Sequence, residues 1–411
     1  MDRRRFLRMG AGALGLAAAA SISRGGWCAS QGQGSGRDVT ITKVTCATIT
    51  GTRPFKIGKN ARRGDHGQVC REQLTRIFTN TGHMGFGTAS PTPQLARALL
   101  GKNPLAFYDS AVGIVDAQGV VGVRQVELPL WDLIGKILGK PLYKLWGARG
   151  KNPVPAYDGS IYFADLLHPD QGVARIQWEV EQSLARGHRA VKVKVGRGFK
   201  WMPPEEGFRR DVEVIKAVRR TAGAKCKIAI DANNGYDLAG AKRLLEEVGE
   251  EDIFFAEEMF PEDVAQCLEF KQFLRNAGLA TLVADGEGTP NHRPLVPFIE
   301  ARALDVVQAD MGRLRPTEWF VLARFAERYN VLCAPHNWGR QFCSFVILHF
   351  GAAIPNFLIA EIDPVQFEVY DTSALRFSEG QFTLPELPGF GVRLNEEVYQ
   401  RKYAARETVY Q

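Results

Sequence analysis

The chain has 411 residues, 45% of them hydrophobic and 24% charged. These are the proportions of an ordinary globular protein, and they exclude a disordered, collagen-like or disulfide-scaffold chain. The formal charge of +7 is mildly basic, yet no Lys/Arg block with interleaved aromatics points to nucleic acid, and no run reaches the ~18 apolar residues of a membrane span.

Residues 1–37 read as an export signal and linker. Arg3-Arg4-Arg5-Phe6-Leu7-Arg8 precedes a weakly apolar run from Met9 to Ala20 and then small residues, the order of a cleaved signal. The arginine core resembles a twin-arginine signal, which implies a periplasmic or otherwise exported protein with no stable membrane anchor. Ala18-Ala19-Ala20 and Cys28-Ala29 both offer cut sites. Cleavage after Ala29 removes five arginines and one aspartate, leaving +3, so the basicity mostly reports the signal. Ser30 to Arg37 is a Gln/Gly/Ser-rich linker and is expected to be flexible. The seven cysteines, Cys28, Cys46, Cys70, Cys226, Cys267, Cys333 and Cys343, show neither a Cys-x-x-Cys pair nor zinc spacing. Buried free thiols are expected.

At roughly 150 residues per domain, two domains are expected after the signal. Val39 to Val44 alternates like a strand, as does Arg76 to Asn80, and Pro91 to Gly147 turns to helical periodicity. Strands followed by helices predict an α+β domain over 38–150, completed by 373–411. From 151 to 372 short β-branched runs recur, each followed by a helical stretch. They start at Val154, Ala190, Lys227, Ile253, Thr281, Asp305, Val331 and Phe357. The polar ends Asp231, Glu257, Glu287, Asp310, His336 and Glu361 fall 23 to 30 residues apart, close to one βα unit. Eight such units predict a TIM-type (β/α)7β barrel, and no phosphate-cradling glycine loop follows the first strand to suggest a dinucleotide fold.

Polar residues at the C-terminal ends of barrel strands converge on one mouth. Here those ends present Lys192, Lys194, Asp231, Glu257, Glu287, Asp310, His336 and Glu361. So many charges on one rim are costly without a cation. Three carboxylates on adjacent strands form a hard oxygen site suited to Mg²⁺, and flanking bases would then act on a carbon acid.

Leu130-Trp131-Asp132-Leu133-Ile134-Gly135-Lys136, Gly147-Ala148-Arg149 and Pro388-Gly389-Phe390-Gly391-Val392 resemble, in order and spacing, stretches of the enolase superfamily in its mandelate racemase subgroup. The resemblance covers nearly everything from Val39 onward and implies a barrel closed by an α+β capping domain. It implies Lys194 as one acid/base, with Lys192 holding its pKa down and contacting the substrate carboxylate. Asp231 and Glu257 become metal ligands and Asn233 a substrate contact, with Glu258 behind them. Met259 stands where the family usually has proline. Ala284-Asp285-Gly286-Glu287 resembles the motif of the third ligand, which favours Glu287, with Asp285 the alternative. Asp310 and His336 resemble an Asp–His dyad in which the histidine is the second acid/base. Glu361 is implied to donate a proton to the substrate carboxylate, from a raised pKa. His349, inside an apolar helical stretch, is expected in the core or on a helix surface.

Asp310 to Glu318 is one residue shorter than the family stretch, with Arg315-Pro316 in place of a glycine pair, which predicts an altered loop near the mouth. Arg53, Lys56, Lys59, Arg62, Arg63 and His66 crowd the early cap. They read either as a solvated loop or as a cationic lid over a hydroxylated mono- or diacid. The expected partner is thus a small carboxylate, handled by a Mg²⁺-dependent homo-oligomer that abstracts an α-proton and dehydrates an acid sugar. Racemisation or epimerisation of a 2-hydroxy acid is the alternative, and a catalytically silent exported binding protein the reading from another class.

Overall fold

The computed structural model describes residues 38–411, so the expected signal, its linker and Cys28 lie outside them. Alternation carries further than Val44: one strand runs Ile41–Ile57, and from Ala47 to Ile57 its odd positions are buried and its even ones exposed. It pairs antiparallel with Gly67–Thr79 and with Thr408–Tyr410, and Gly67–Thr79 pairs with Met84–Thr88. The helix Glu127–Ile137 presses closely on this sheet, because a Cβ at Gly85 would meet Leu133 Cβ at 2.4 Å.

Eight parallel strands follow: Val154–Ile161, Ala190–Lys194, Lys227–Asp231, Ile253–Glu257, Leu282–Asp285, Val306–Val307, Leu332–Cys333 and Ala360–Ile362. Each bonds to the next. The eighth returns to the first at Ala360–Ala156, and Phe357, just ahead of it, bridges Cys333 of the seventh, closing the ring. A helix follows each of the first seven strands, from Val173–Ala185 to Gln341–Ala353. The segment 373–411, expected to complete the cap, divides: Gln381 and Phe382 pair with the first barrel strand, whereas Thr408–Tyr410 joins the cap sheet. The six described cysteines carry no disulfide, and all but Cys46 are buried.

Strand parity places the functional side chains. Tyr157 and Phe255 meet edge to face at 5.7 Å inside the barrel, where Ala190, Ala229, Ala284 and Ala334 leave them room. Side chains alternate along a strand, so the residue two positions on from an inward one also faces inward, nearer the mouth. For Ala190, Phe255, Ala229, Ala334 and Ile359 that residue is Lys192, Glu257, Asp231, His336 and Glu361.

Buried charge ties cap to barrel. Arg53, expected in an exposed lid, points inward from the long cap strand and grips Asp363 through Nε at 2.9 Å and Nη2 at 2.6 Å, with both side chains nearly inaccessible. Glu72 lies in the same seam and accepts from the Tyr370 hydroxyl at 3.2 Å and the Phe342 N–H at 3.4 Å. Burial pushes its carboxyl up to about 7 from 4.5. An acid with a raised folded pKa stabilises fully below its unfolded pKa and loses that stabilisation as pH rises through the folded value. Its contribution is therefore expected to fall by up to about 3 kcal/mol between about pH 4.5 and 7. Glu72→Gln should flatten that limb of stability against pH in denaturant titrations; an equally steep limb in the variant would exclude Glu72 as its source.

Candidate active site

At the mouth the structure brings the predicted residues together. Lys192 Nζ lies 2.9 Å from both Glu257 oxygens, 2.8 Å from Glu361 Oε1 and 3.2 Å from Asp231 Oδ2. Lys194 is ion-paired with Asp231. Oxygens of Asp231, Glu257 and Glu287 lie within 4.8 Å of one another. Three convergent carboxylates are a hard, anionic donor set that fits Mg²⁺.

Asp285 belongs elsewhere. Ala284 points into the barrel, so Asp285 faces outward, where its carboxylate clusters with Glu258 and Glu262. Gly286 then adopts φ +123°, which breaks the strand alternation and lets Glu287 turn back to the mouth. Glu258 follows the same parity: it sits behind Glu257 and accepts from Asn233 Nδ2 at 3.0 Å.

His336 Nδ1 lies 2.8 Å from Asp310 Oδ2, while its Nε2 lies 3.1 Å from Glu287 and 4.0 Å from Glu361. Burial would lower the imidazole pKa, but the carboxylates of Glu287, Glu361 and Asp310 outweigh it and raise it to about 9. Asp310 also caps the helix Met311–Arg328, taking the Arg313 N–H at 2.9 Å. The shortened stretch after it thus forms two helical segments that meet at a break. The break is Arg315, at φ +63° and ψ 163°; Pro316 disfavours the helical region there, and the positive φ goes beyond what a following proline requires.

Sequence reasoning missed Arg340, whose Nη1 holds Asp310 Oδ1 at 2.8 Å, and Gln308, which donates to Glu257 at 2.9 Å. Gln308 shares the inward parity of Val306 and Asp310, a usable signal; Arg340 lies in a turn and gives none. A Cβ on Gly312 would fall 1.7 Å from Arg340 Nη1, the mobile end of a long side chain. Gly312→Ala should therefore eject the guanidinium from Asp310 at no cost in helix propensity. Turnover is expected to drop roughly tenfold or more, the worth of a hydrogen bond to a charged group, with an unchanged melting temperature. Full activity in the variant would remove Arg340 from the dyad's support.

The geometry bears on the remaining expectations residue by residue. Lys192 does push the Lys194 pKa down, as expected, and so does burial, but the Asp231 carboxylate beside Lys194 outweighs both and the pKa is raised. Glu361, 1% exposed, sits at the mouth as expected, held by Lys192 at 2.8 Å and by the Asn337 N–H at 2.9 Å. Asn233 adopts φ +44°, and its Oδ1 is buried without a partner. Apart from the exposed Arg63, the cationic lid is neutralised or docked. Lys56 and Lys59 lie 2.7 and 3.3 Å from Asp65, and Arg62 donates to the Asn233 and Asn234 carbonyls at 2.7 and 3.0 Å. His349 is core: its Nδ1 accepts from Tyr143 N–H at 3.1 Å and its Nε2 lies 3.0 Å from the Phe390 carbonyl.

A family profile described as enolase C-terminal domain-like matches residues 175–398. The chain belongs to the enolase superfamily. D-xylonate dehydratase of Haloferax volcanii is 25% identical over 407 residues, covering 92% of each chain. Galacturonate dehydratase from a Geobacillus species, solved with D-galacturonate and 5-keto-4-deoxy-D-galacturonate, is 32% identical with a TM-score of 0.84, covering 91% of this chain and 99% of that one. A mandelate racemase/muconate lactonizing protein from Geobacillus sp. Y412MC10, solved with magnesium and tartrate, is 34% identical with a TM-score of 0.82, covering 89% and 95%. This superfamily member is thus an enzyme with an α/β barrel and a capping domain. Among the described residues no helix is long and apolar enough to cross a membrane.

Proposed function

We propose that this enzyme removes the proton α to the carboxylate of an acid sugar and expels the β-hydroxyl, giving a 2-keto-3-deoxy acid. One observation carries the proposal: Lys194 meets the carboxylate trio at Asp231, whereas His336 meets it at Glu287. A substrate carboxylate seated on the trio therefore has its α-carbon flanked by an amine and an imidazole. Asp231, Glu257 and Glu287 would hold Mg²⁺, which when bound would offset the charge that grows on the substrate carboxylate as the α-proton leaves. With the Asp231 carboxylate engaged by the metal, burial and Lys192 would be left to favour the free amine of Lys194, and in that form Lys194 takes the proton. The electron pair left behind expels the β-hydroxyl, which collects a proton from His336 Nε2 and departs as water; the enol product then tautomerises to the ketone. Lys192 and Glu361 contact the carboxylate, Asn233 faces the substrate and Asp310 keeps the imidazole oriented. The xylonate and galacturonate dehydratases among the relatives support this chemistry.

The test is incubation of the Mg²⁺-loaded enzyme with acid sugars and 2-hydroxy acids in D₂O, followed by proton NMR. Loss of the α-proton signal with a new 2-keto-3-deoxy product is expected. Exchange with the carbon skeleton retained would replace dehydration by racemisation or epimerisation, which the same flanking pair permits; no exchange with any acid would sink both.

We also propose that the enzyme is exported and assembles as a homo-oligomer. The arginine-led N-terminus supports export, and exposed apolar side chains such as Val69 and Val121, 56% and 79% accessible, support association. Fractionation of cells expressing the full chain, and light scattering of the product, test the two.

A further inference from the structure

Three rings at the mouth take no part in the proton transfers: His66 from the cap, Tyr162 just past the first barrel strand and Trp338, two residues beyond His336. His66 lies edge-on to Tyr162 at 4.7 Å and to Trp338 at 5.8 Å, and Tyr162 stacks on Trp338 at 4.6 Å. The Lys194 ammonium sits 5.1 Å from the Tyr162 ring centre, so the cluster adjoins the proposed base. Trp338 Nε1 lies 3.0 Å from His66 Nδ1. An indole nitrogen can only donate, so Nδ1 is the acceptor and Nε2 carries the ring proton. Nε2 is buried, and no protein group accepts from it. Such orphaned donors are rare in native interiors and call for a ligand or water as acceptor.

The ring is also kept neutral. Burial first, then the charges of Lys194, Arg53 and Arg63, push His66 down to about 3 against a smaller opposite pull from Asp65. Around it Arg53 is spent on Asp363, Lys56 and Lys59 on Asp65, and Arg62 on backbone carbonyls, while Arg63 is exposed to water. What His66 offers the substrate is an uncharged N–H.

We propose that His66 is a specificity-determining residue, its Nε2–H donating to a hydroxyl, ring or carbonyl oxygen beyond the two reacting carbons, so that polyhydroxy monocarboxylates with an uncharged far end are taken in preference to dicarboxylates. Trp338 positions that donor by occupying Nδ1. A second carboxylate brought against Nε2 would be desolvated, and the exposed Arg63 guanidinium, screened by water, offsets little of that cost. The assignment rests on the proposed dehydration.

The test compares wild type with His66→Phe, which keeps a ring against the edges of Tyr162 and Trp338 but deletes both nitrogens. D-Gluconate, D-xylonate, D-galacturonate and D-galactarate are assayed by α-proton exchange; D-glycerate, which has only the reacting carbons and its carboxylate, is assayed as substrate or competitive inhibitor. The expected result is a KM at least tenfold higher for the best polyhydroxy monoacid, with D-glycerate changed less than twofold. Equal losses on both would reduce His66 to a structural ring, and no loss on either would show that it touches nothing; each overturns the proposal. So does a wild type that prefers D-galactarate to D-galacturonate. A wild type inert to every acid defeats the dehydration proposal instead. In that event ¹⁵N NMR of the histidine rings, with Trp338→Phe as reference, still decides the donor: neutral His66 protonated on Nε2 at pH 7 is expected, and an Nδ1–H tautomer or an imidazolium refutes it.

Discussion

His336→Asn is expected to stop dehydration while leaving α-proton exchange running. The two proton transfers fall to different groups at different ends of the carboxylate trio, Lys194 at Asp231 and His336 at Glu287. Removing the imidazole takes away the acid that releases the β-hydroxyl but not the amine that draws the α-proton. A general acid or base contributes roughly 10²–10⁴-fold, so dehydration should fall about a thousandfold, or about 4 kcal/mol of barrier. Exchange of the α-proton in D₂O should stay within about tenfold of wild type. Lys194→Met should abolish both, since the first transfer precedes the second. A His336→Asn variant that loses exchange and dehydration in parallel would make the histidine the base and reverse the two roles. Thermal melts of both variants separate these outcomes from misfolding.

Much of this site was legible because a barrel strand repeats one rule. A polar residue ending an apolar β-branched run sits at the mouth, and Lys192, Lys194, Asp231, Glu257, Asp310, His336 and Glu361 all obey it. The rule fails where the backbone leaves the strand. Glu287 and Asp285 differ by two residues and would share a face in an extended chain, so only the Gly286 turn, φ +123°, tells them apart. Long-range pairing is invisible in the same way. Arg53 looked like one of six lid charges, yet its partner Asp363 lies 310 residues on, and burial of that pair turns an apparent surface charge into a clamp between cap and barrel. Arg340 escaped notice because it belongs to the turn after the seventh strand, where no periodicity marks which side chains return to the site. The chain's division into cap and barrel was read from texture, and texture does not show that Gln381 and Phe382 bond to Val154 and Pro155.

Chelation of Mg²⁺ is expected to abolish turnover and to lower the melting temperature by a few degrees. In this structure Lys192 and Lys194 pair with Asp231 and Glu257, whereas Glu287 is contacted by His336. Two ammonium groups and the His336 imidazolium against three ligand carboxylates and Glu361 leave the mouth one charge negative, a costly balance for groups so deeply buried. A ligand that binds only the folded chain stabilises it by about 2.7 kcal/mol at a hundred times its dissociation constant, and a chain of this size converts that into a small shift in melting temperature. Glu287→Gln should therefore lose the Mg²⁺-dependent shift and the activity together, and its melt should be the same with and without the ion. Asp285→Asn is the discriminating control, because that carboxylate faces Glu258 and Glu262 on the other side of the strand. It should keep a wild-type Mg²⁺ shift. If instead Asp285→Asn loses the shift and Glu287→Gln keeps it, the third ligand is the aspartate, and the turn at Gly286 does not do what the strand parity requires of it.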